Sequence, residues 1–330
     1  MIQERSSIQG IYIYKMTKCL IVHIRKIVIL SLGMLPCIIY SQQEAQYTQY
    51  MYMTQVFNPA YAGNRGIMSL KALARSQWID IEGAPTTAVL TFDTPIGEAE
   101  KIGLGLSIIN DQIGPTTETN IAIDYAYSLS FMFSKLTFGL KVGLNSFDIN
   151  FDRLNIHDET DPYIGYAIDN QFQPQIGVGL YFNTQKFYLG LSAPNLLKKQ
   201  YFDLVENESS FFSSLSDKIH FYLIGGYVFD VLPSLKFKPA SLIKVVKGSP
   251  IQWDLSLNFL FNDNFSFGVA NRLDSAITAL AGIKVSNGAM IGFSYDFSTT
   301  EIKKYATGSF EVFFRIDIGA NKKILTPRFF

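Results

Sequence analysis

The residues that most often catalyse reactions or bind metals are few in this chain of 330 residues. Beyond the amino-terminal region the histidines are His157 and His220, and neither has the nucleophile and orienting group that catalysis by a triad requires nearby in sequence. His157 lies within the acidic stretch 148–162, whose carboxylates are of the type that binds Ca²⁺. That stretch lacks the regular spacing and central glycine of an EF-hand loop, so a solvated acidic loop is the simpler interpretation. We therefore predict no catalytic residue, no metal site and no cofactor.

The amino-terminal region is organised like a secretory signal peptide. Basic residues precede an apolar run at 27–40, and Ser41 is followed by polar residues. We predict a signal peptide at 1–41, with Met16 as a second candidate for the start of translation; a retained membrane anchor is the alternative. Cleavage after Ser41 would remove both cysteines of the chain, and with them any disulfide. The remaining chain is slightly acidic, which argues against a nucleic-acid partner.

Most of the remaining chain alternates with a period of two residues. Between 136 and 147, large apolar residues occupy the even positions from Leu136 to Leu144, and small or polar residues occupy the odd ones. This alternation predicts β-strands with one apolar face, and no apolar run after residue 41 approaches the roughly 20 residues of a membrane helix. The predicted strands are 67–77, 85–93, 102–110, 119–131, 136–147, 173–182, 186–192, 219–230, 235–246, 251–260, 264–271, 277–285, 288–297 and 308–318.

Two architectures fit such strands, a soluble sandwich with a buried apolar face and a membrane barrel with an apolar face towards lipid. Glu311, Arg315 and Asp317 share one face of the last strand, which a dry core tolerates only if they are paired and a polar lumen accepts. The connections are also sorted. If the first strand rises from the periplasm, the longest connections all fall on the external side, as in outer-membrane barrels. They are 148–172, 193–218 and 298–307, and a shorter external loop is expected at Asp111–Glu118.

These observations predict an all-β fold, a transmembrane outer-membrane β-barrel of about 14 antiparallel strands over 67–318. A periplasmic tail would follow at 319–330. The segment 42–66 has no period of two and is rich in aromatic and polar residues. We expect a short helix with Tyr47, Tyr50, Met51 and Thr54 on one face, ended by Asn58–Pro59.

Glycines at inward positions of the predicted strands leave room for another segment to pack against the wall. The segment 42–66 is therefore a candidate plug, and the alternative is a disordered periplasmic segment. Its candidate contact residues for the wall or a partner are Tyr47, Tyr50, Asn58, Pro59, Tyr61, Gly63 and Arg65.

Several motifs together resemble one family. They are Gln46-Tyr47-Thr48-Gln49-Tyr50-Met51, Phe57-Asn58-Pro59-Ala60-Tyr61-Ala62-Gly63, Arg75-Ser76-Gln77-Trp78, Gly83-Ala84-Pro85-Thr86-Thr87, Gly103-Leu104-Gly105, Asp111-Gln112-Ile113-Gly114-Pro115 and the final Pro327-Arg328-Phe329-Phe330. Through these motifs the sequence resembles the PorP/SprF family of type IX secretion system membrane proteins from Bacteroidota. The likeness is dense over 46–127 and looser afterwards.

The resemblance implies a FadL-like barrel in the cell outer membrane that assists secretion and is not an enzyme. Its implied partners are outer-membrane lipid, proteins of the type IX secretion machinery, and a large secreted adhesin used in gliding motility, or the C-terminal domain of such an adhesin. No catalytic residue is carried over. The alternative function is a FadL-like channel for hydrophobic or small solutes.

Overall fold

The structure is a computed structural model, and it describes residues 46–97, 100–150, 171–197, 218–286 and 288–319. Three expectations lie outside the described residues: the signal peptide at 1–41, the surroundings of His157, and the tail beyond Gly319. The amino-terminal part of the candidate plug, 42–45, also lies outside them.

Within the described ranges, alternating apolar and polar residues form fifteen strands, β1 to β15. They are Met68–Ser76, Thr86–Ile96, Ile102–Ile113, Thr116–Ser130, Ser134–Ile149, Gln171–Thr184, Phe187–Ala193, His220–Tyr227, Phe229–Leu232, Leu235–Val246, Gln252–Phe261, Phe265–Arg272, Ala276–Ser286, Ala289–Ser298 and Ser309–Ile318. In the same ranges an α-helix, α1, spans Thr54–Phe57, and 3-10 helices span Pro59–Tyr61 and Glu301–Lys304. In the described part of the chain, no helix has the length and apolar character needed to cross a membrane.

The sheet closes into a barrel because strands that are adjacent in sequence pair with each other, except that β8 pairs with β10 rather than β9, and because β1 also pairs with β15. All of these pairings are antiparallel, with Leu73 opposite Phe313 at the closing seam. Strands β8 and β9 both pair with the same edge of β10, so they share one position in the wall. The result is the closed barrel of 14 antiparallel strands that the sequence predicts.

The two faces of the wall differ in polarity. Outward residues are large and apolar, as in β5, where Phe138, Leu140 and Val142 are exposed. Inward residues are polar and buried, as with Thr137 and Lys141 of the same strand. An apolar exterior around a polar interior is the pattern of a barrel whose outer face contacts lipid.

The barrel has two mouths. We call the mouth at which β1, β3, β5, β7, β10, β12 and β14 end the long-connection mouth. The opposite mouth, at which these strands begin, is the short-turn mouth, and the described turns 131–133, 185–186, 233–234 and 262–264 lie there. The three longest stretches of sequence between strands join strand ends at the long-connection mouth, and assigning that mouth to the cell exterior stays a prediction.

The prediction of a loop over Asp111–Glu118 is wrong. Strand β3 continues to Ile113, β4 begins at Thr116, and the backbone N–H of Gly114 donates to the carbonyl of Gly83. Period-two patterning fails there because the hairpin rises past the apolar band, where both faces of the strands are polar. Pairing of the two strands continues in the absence of that pattern, with Asp111 opposite Glu118.

Candidate functional site

The residues preceding β1 lie inside the barrel rather than beside it. From Tyr47 to Arg65 every side chain is buried, and nearly every contact described for them is with the inner wall or within the segment. We call residues 46–66 the lumen segment. Helix α1 is shorter than predicted, because residues 48–53 form turns and the helix begins only at Thr54. It ends at Phe57, where Asn58–Pro59 starts the 3-10 helix.

The lumen segment begins near the long-connection mouth, where a charged cluster holds it. Both oxygens of Glu311 accept backbone N–H groups, from Thr48 at 2.9 Å and from Gln49 at 2.7 Å. The Thr48 hydroxyl donates to Asp296 at 2.8 Å. Arg75 pairs with Asp296 at 2.6 Å and with Glu311 at 3.2 Å. These five wall and segment residues are almost fully buried, so the charges of Arg75, Asp296 and Glu311 depend on one another for compensation.

Farther along the segment, Gln55 joins it to the neighbouring part of the wall, strands β2 to β4. Its side-chain amide donates to Asp124 at 3.0 Å and to the Phe92 and Leu106 carbonyls at 3.3 Å. Asp124 is also paired with Lys141 at 3.0 Å. The segment therefore contacts strands β2, β3 and β4 through one glutamine, which sequence reasoning missed.

Inward glycines mark the places where the backbone of the segment touches the wall. A Cβ built on Gly139 would lie 2.5 Å from the Cα of Ala60 and closer still to its backbone nitrogen. A Cβ on Gly103 would lie 2.7 Å from the carbonyl carbon of Ala62. Neither approach leaves room for a side chain, because ordinary carbon contacts are about 3.5–4 Å.

Asn58 holds residues 58–61 of the segment against the wall through hydrogen bonds of its side chain. Its side-chain N–H donates to the Leu180 carbonyl at 2.9 Å, while its side-chain oxygen accepts the backbone N–H of Ala60 at 3.0 Å. The second bond caps the 3-10 helix at Pro59–Tyr61, whose first residue is a proline that needs no N–H partner. A Cβ on Gly179 would meet the ring of Pro59 at 3.0 Å. Asn58 thus sets both the local turn and its position on the wall.

The segment leaves the lumen near the short-turn mouth. Tyr61 packs edge-on against Tyr181 with ring centroids 5.5 Å apart, and Lys71 lies 5.5 Å from the centre of the Tyr61 ring. Gly63 has a φ of 65° and donates its backbone N–H to Asp93 at 3.2 Å. A left-handed φ favours glycine, and the wall leaves no space for a Cβ at this position.

Where the lumen segment reaches the short-turn mouth, Arg65 and Asp317 form a buried ion pair at 2.7 Å. Arg315 reaches the same carboxylate at 3.3 Å, and Lys71 pairs with Asp93 nearby. The inward charges Glu311, Arg315 and Asp317 of β15 are therefore all paired within the lumen.

A cavity of about 80 Å³ lies between the segment and the wall. Tyr47, Val56 and Phe57 line one side, and wall residues line the other. The wall residues are Ile109, Asp111, Glu118, Asn120, Lys141, Gln175, Pro194 and Tyr222. The cavity has room for several waters or one small group.

All seven residues singled out by sequence lie in the lumen segment and are buried there. Tyr50 adds a hydroxyl contact to Ser256 at 3.3 Å, and Tyr47 packs edge-on against Phe57. Sequence reasoning missed the polar partners of the segment, which are Thr48, Gln49, Gln55, Arg75, Asp124, Asp296 and Glu311. For the wall residues Arg75, Asp124, Asp296 and Glu311, an inward charge on a strand was the only signal, and it does not say which residue pairs with which.

The described residues show no arrangement for metal chemistry. Among them, no group of three His, Cys, Asp or Glu residues is placed to hold a metal ion. His220 is buried at the start of β8, beside Tyr222. The arrangement is suited to holding a peptide segment inside a polar lumen.

Comparisons with known proteins found one family and several similar solved structures. The family model described as "Type IX secretion system membrane protein PorP/SprF" matches residues 39–316. A search of curated proteins found no match. Similar solved structures include the Acinetobacter baumannii outer membrane protein Omp33, with 6% identity and a TM-score of 0.45 over 76% of this chain and 98% of that one.

Two further structures are similar at the same level. A Pseudomonas aeruginosa FadL homologue has 12% identity and a TM-score of 0.42 over 80% of this chain and 93% of that one. The Ralstonia pickettii toluene transporter TbuX has 9% identity and a TM-score of 0.45 over 82% of this chain and 93% of that one. Likeness at this level carries no argument about function.

Proposed function

The chain belongs to the PorP/SprF family of type IX secretion system membrane proteins, and from that premise we propose that it assists the export or surface attachment of particular cargo proteins. Its place is the outer membrane, and its association is with the type IX secretion machinery. In our proposal it catalyses no reaction. The cargo class is a large secreted adhesin, such as one used in gliding, recognised through the adhesin or its C-terminal domain.

The observation that carries the proposal is the course of the lumen segment. Residues 46–66 run from one mouth of the barrel to the other, with Thr48 held near the long-connection mouth and Arg65 near the short-turn mouth. A segment with this course can couple an event at one mouth to the other. We propose that it acts as a plug and as the element that responds to docking of a partner.

Deletion of the gene tests the proposed function directly. The expected result is that particular surface proteins accumulate in the periplasm while other outer-membrane barrels assemble normally. Normal surface display of every type IX cargo in the deletion strain would contradict the proposal.

The role of the segment needs its own variant. The double variant Tyr61→Phe with Arg65→Lys keeps an aromatic ring at position 61 and a positive charge at position 65. It replaces the guanidinium that pairs with Asp317. We expect reduced cargo display with the barrel still folded, judged by its heat-modifiable mobility in electrophoresis. Lys186→Ala, at an exposed ion pair with Asp230, is the matched control. Full display in both variants would remove the segment from the mechanism.

A channel for hydrophobic or small solutes is the second candidate function. The cavity beside Tyr47 and Phe57 favours it, because aromatic and aliphatic residues on one side and polar side chains such as Asn120 and Gln175 on the other could hold a small solute. Single-channel conductance and solute uptake distinguish the two functions. Uptake that is lost on deletion, with cargo display unchanged, would favour the channel.

A further inference from the structure

The turn between β4 and β5 differs from the other turns of the short-turn mouth. It consists of Phe131, Met132 and Phe133, whose side chains are 59%, 87% and 76% exposed. The backbone N–H of Phe131 donates to the Ser134 carbonyl at 2.8 Å, so the turn is closed and ordered by the hairpin itself. A contiguous exposed apolar patch marks a surface that meets lipid or another protein.

Two neighbouring turns at the same mouth consist of polar residues and have exposed ion pairs beside them. Gln185 and Lys186 form the next turn, and Lys186 makes an exposed ion pair with Asp230 at 2.9 Å. Asp263, in the turn after β11, pairs with Lys236 at 2.6 Å. Among the described turns of this mouth, the β4–β5 turn is the one whose connecting residues are all large and apolar; Val231 and Leu232, at the end of β9, are the exposed apolar residues beside the 233–234 turn.

The turn continues the lipid-facing surface of β4 without a break. The outward residues of this strand are exposed and apolar, and they end at Phe131; in order they are Ile121, Ile123, Tyr125, Tyr127, Leu129 and Phe131. Above Ile121 the same face carries Thr119 and Thr117, which are polar. The apolar band on this strand is therefore bounded by threonines on one side and by the turn on the other.

The height of the apolar band on β4 indicates whether the turn lies in the membrane. From Ile121 to Phe131 the chain advances about 33 Å at roughly 3.3 Å per residue, which a strand tilt of about 40° reduces to about 25 Å. The apolar band of outer-membrane barrels is about 25 Å tall, so Phe131 is needed to complete it. Without Phe131 the band would be only about 20 Å.

We propose that the β4–β5 turn is a membrane-contact site, with Phe131, Met132 and Phe133 inserted at the headgroup and acyl boundary of a phospholipid leaflet. The occupant is lipid because the turn is continuous with the lipid-facing wall and completes its height. The β4–β5 hairpin thereby ends in the membrane interface, whereas the described turns at 185–186 and 262–264 project into water. This hairpin sets the depth of the barrel on one side.

Tryptophan fluorescence tests the proposal in the full chain. Trp78 and Trp253, the two tryptophans of the chain, are replaced by phenylalanine, and Phe133→Trp introduces a probe at the turn. Gln185→Trp, at the neighbouring polar turn, is the matched control. Each variant is placed in phosphatidylcholine vesicles, with or without bromine atoms on the acyl chains near the headgroup. Iodide is supplied on both sides of the membrane.

The expected result is that Phe133→Trp loses most of its emission to the brominated lipid and little to iodide, whereas Gln185→Trp does the reverse. Met132→Trp repeats the measurement at the most exposed position, and heat-modifiable mobility shows that each variant is folded. Equal quenching of the two probes by iodide, with no effect of bromine, would overturn the proposal. Shielding from iodide in native outer membranes but not in vesicles would also overturn it, because a protein would then cover the turn.

Discussion

Replacing Gly139 with alanine should release the lumen segment without changing the segment itself. Gly139 lies on the inner face of β5, where a Cβ would be 2.5 Å from the Cα of Ala60 and 2.5 Å from the carbonyl carbon of Pro59. An ordinary carbon contact is about 3.5 Å or more, so the backbone of the segment must move by roughly 1 Å. The wall cannot yield instead, because β5 is paired with β4 and β6 along its length.

The cost follows from the contacts that such a movement breaks. Overpacking of a tight site costs about 1–3 kcal/mol. The same movement strains the bond from Asn58 to the Leu180 carbonyl and the bond from Ala60 to Asn58, each worth about 1 kcal/mol. We take about 3 kcal/mol as the expected loss of docking free energy. This corresponds to a rise of roughly a hundredfold in the population with the segment undocked.

Cysteine labelling measures that population. Val56→Cys places a thiol in the buried part of the segment, in a chain whose Cys19 and Cys37 are replaced by serine. With fast opening and closing, the maleimide labelling rate is proportional to the undocked fraction. Gly139→Ala should therefore raise the rate by roughly a hundredfold.

Gly225→Ala is the matched control for this experiment. It adds the same methyl group to a wall glycine of β8 whose nearest atom would be the Cδ1 of Leu189 at 3.4 Å, an ordinary contact. Its labelling rate should equal that of the parent. If Gly139→Ala also left Val56→Cys as protected as in the parent, the segment would not be held by close packing at this glycine.

Three further predictions concern charges and caps in the lumen. Glu311→Gln should lower the free energy of unfolding by about 3 kcal/mol. The substitution removes the negative charge that pairs with Arg75, and it removes one of the two oxygens that accept the Thr48 and Gln49 backbone N–H groups. Urea titration with an electrophoretic readout checks this. Lys141→Met should cost about 3–5 kcal/mol by leaving Asp124 buried without its cation, and adding Asp124→Asn should recover most of the loss in the same titration. A double variant no more stable than Lys141→Met would contradict that reading. Asn58→Ala should raise the labelling rate of Val56→Cys about tenfold or more, through loss of the Leu180 bond and the cap of the 3-10 helix, and an unchanged rate would show that Asn58 does not hold the segment.

Much of the wall could be predicted from the sequence, because successive residues of a barrel strand face lipid and lumen in turn and therefore alternate between apolar and polar types. The alternation from Leu136 to Leu144 placed β5 and its apolar face correctly. Prediction failed at Asp111–Glu118, where both faces of the hairpin are polar and the alternation that reports lipid is missing. Strand pairing, which is made by the backbone, continues there without that signal.

The sequence by itself determined that the chain has an apolar exterior, a polar interior and an aromatic segment that does not belong to the wall. Only the tertiary structure decided the course of that segment and the partners of its polar groups. Thr48 and Glu311 are 263 positions apart in the chain, yet they meet because closure brings β15 beside β1. Period-two patterning depends on whether a position faces lipid or lumen, and it carries no information about which inward residues meet across the barrel.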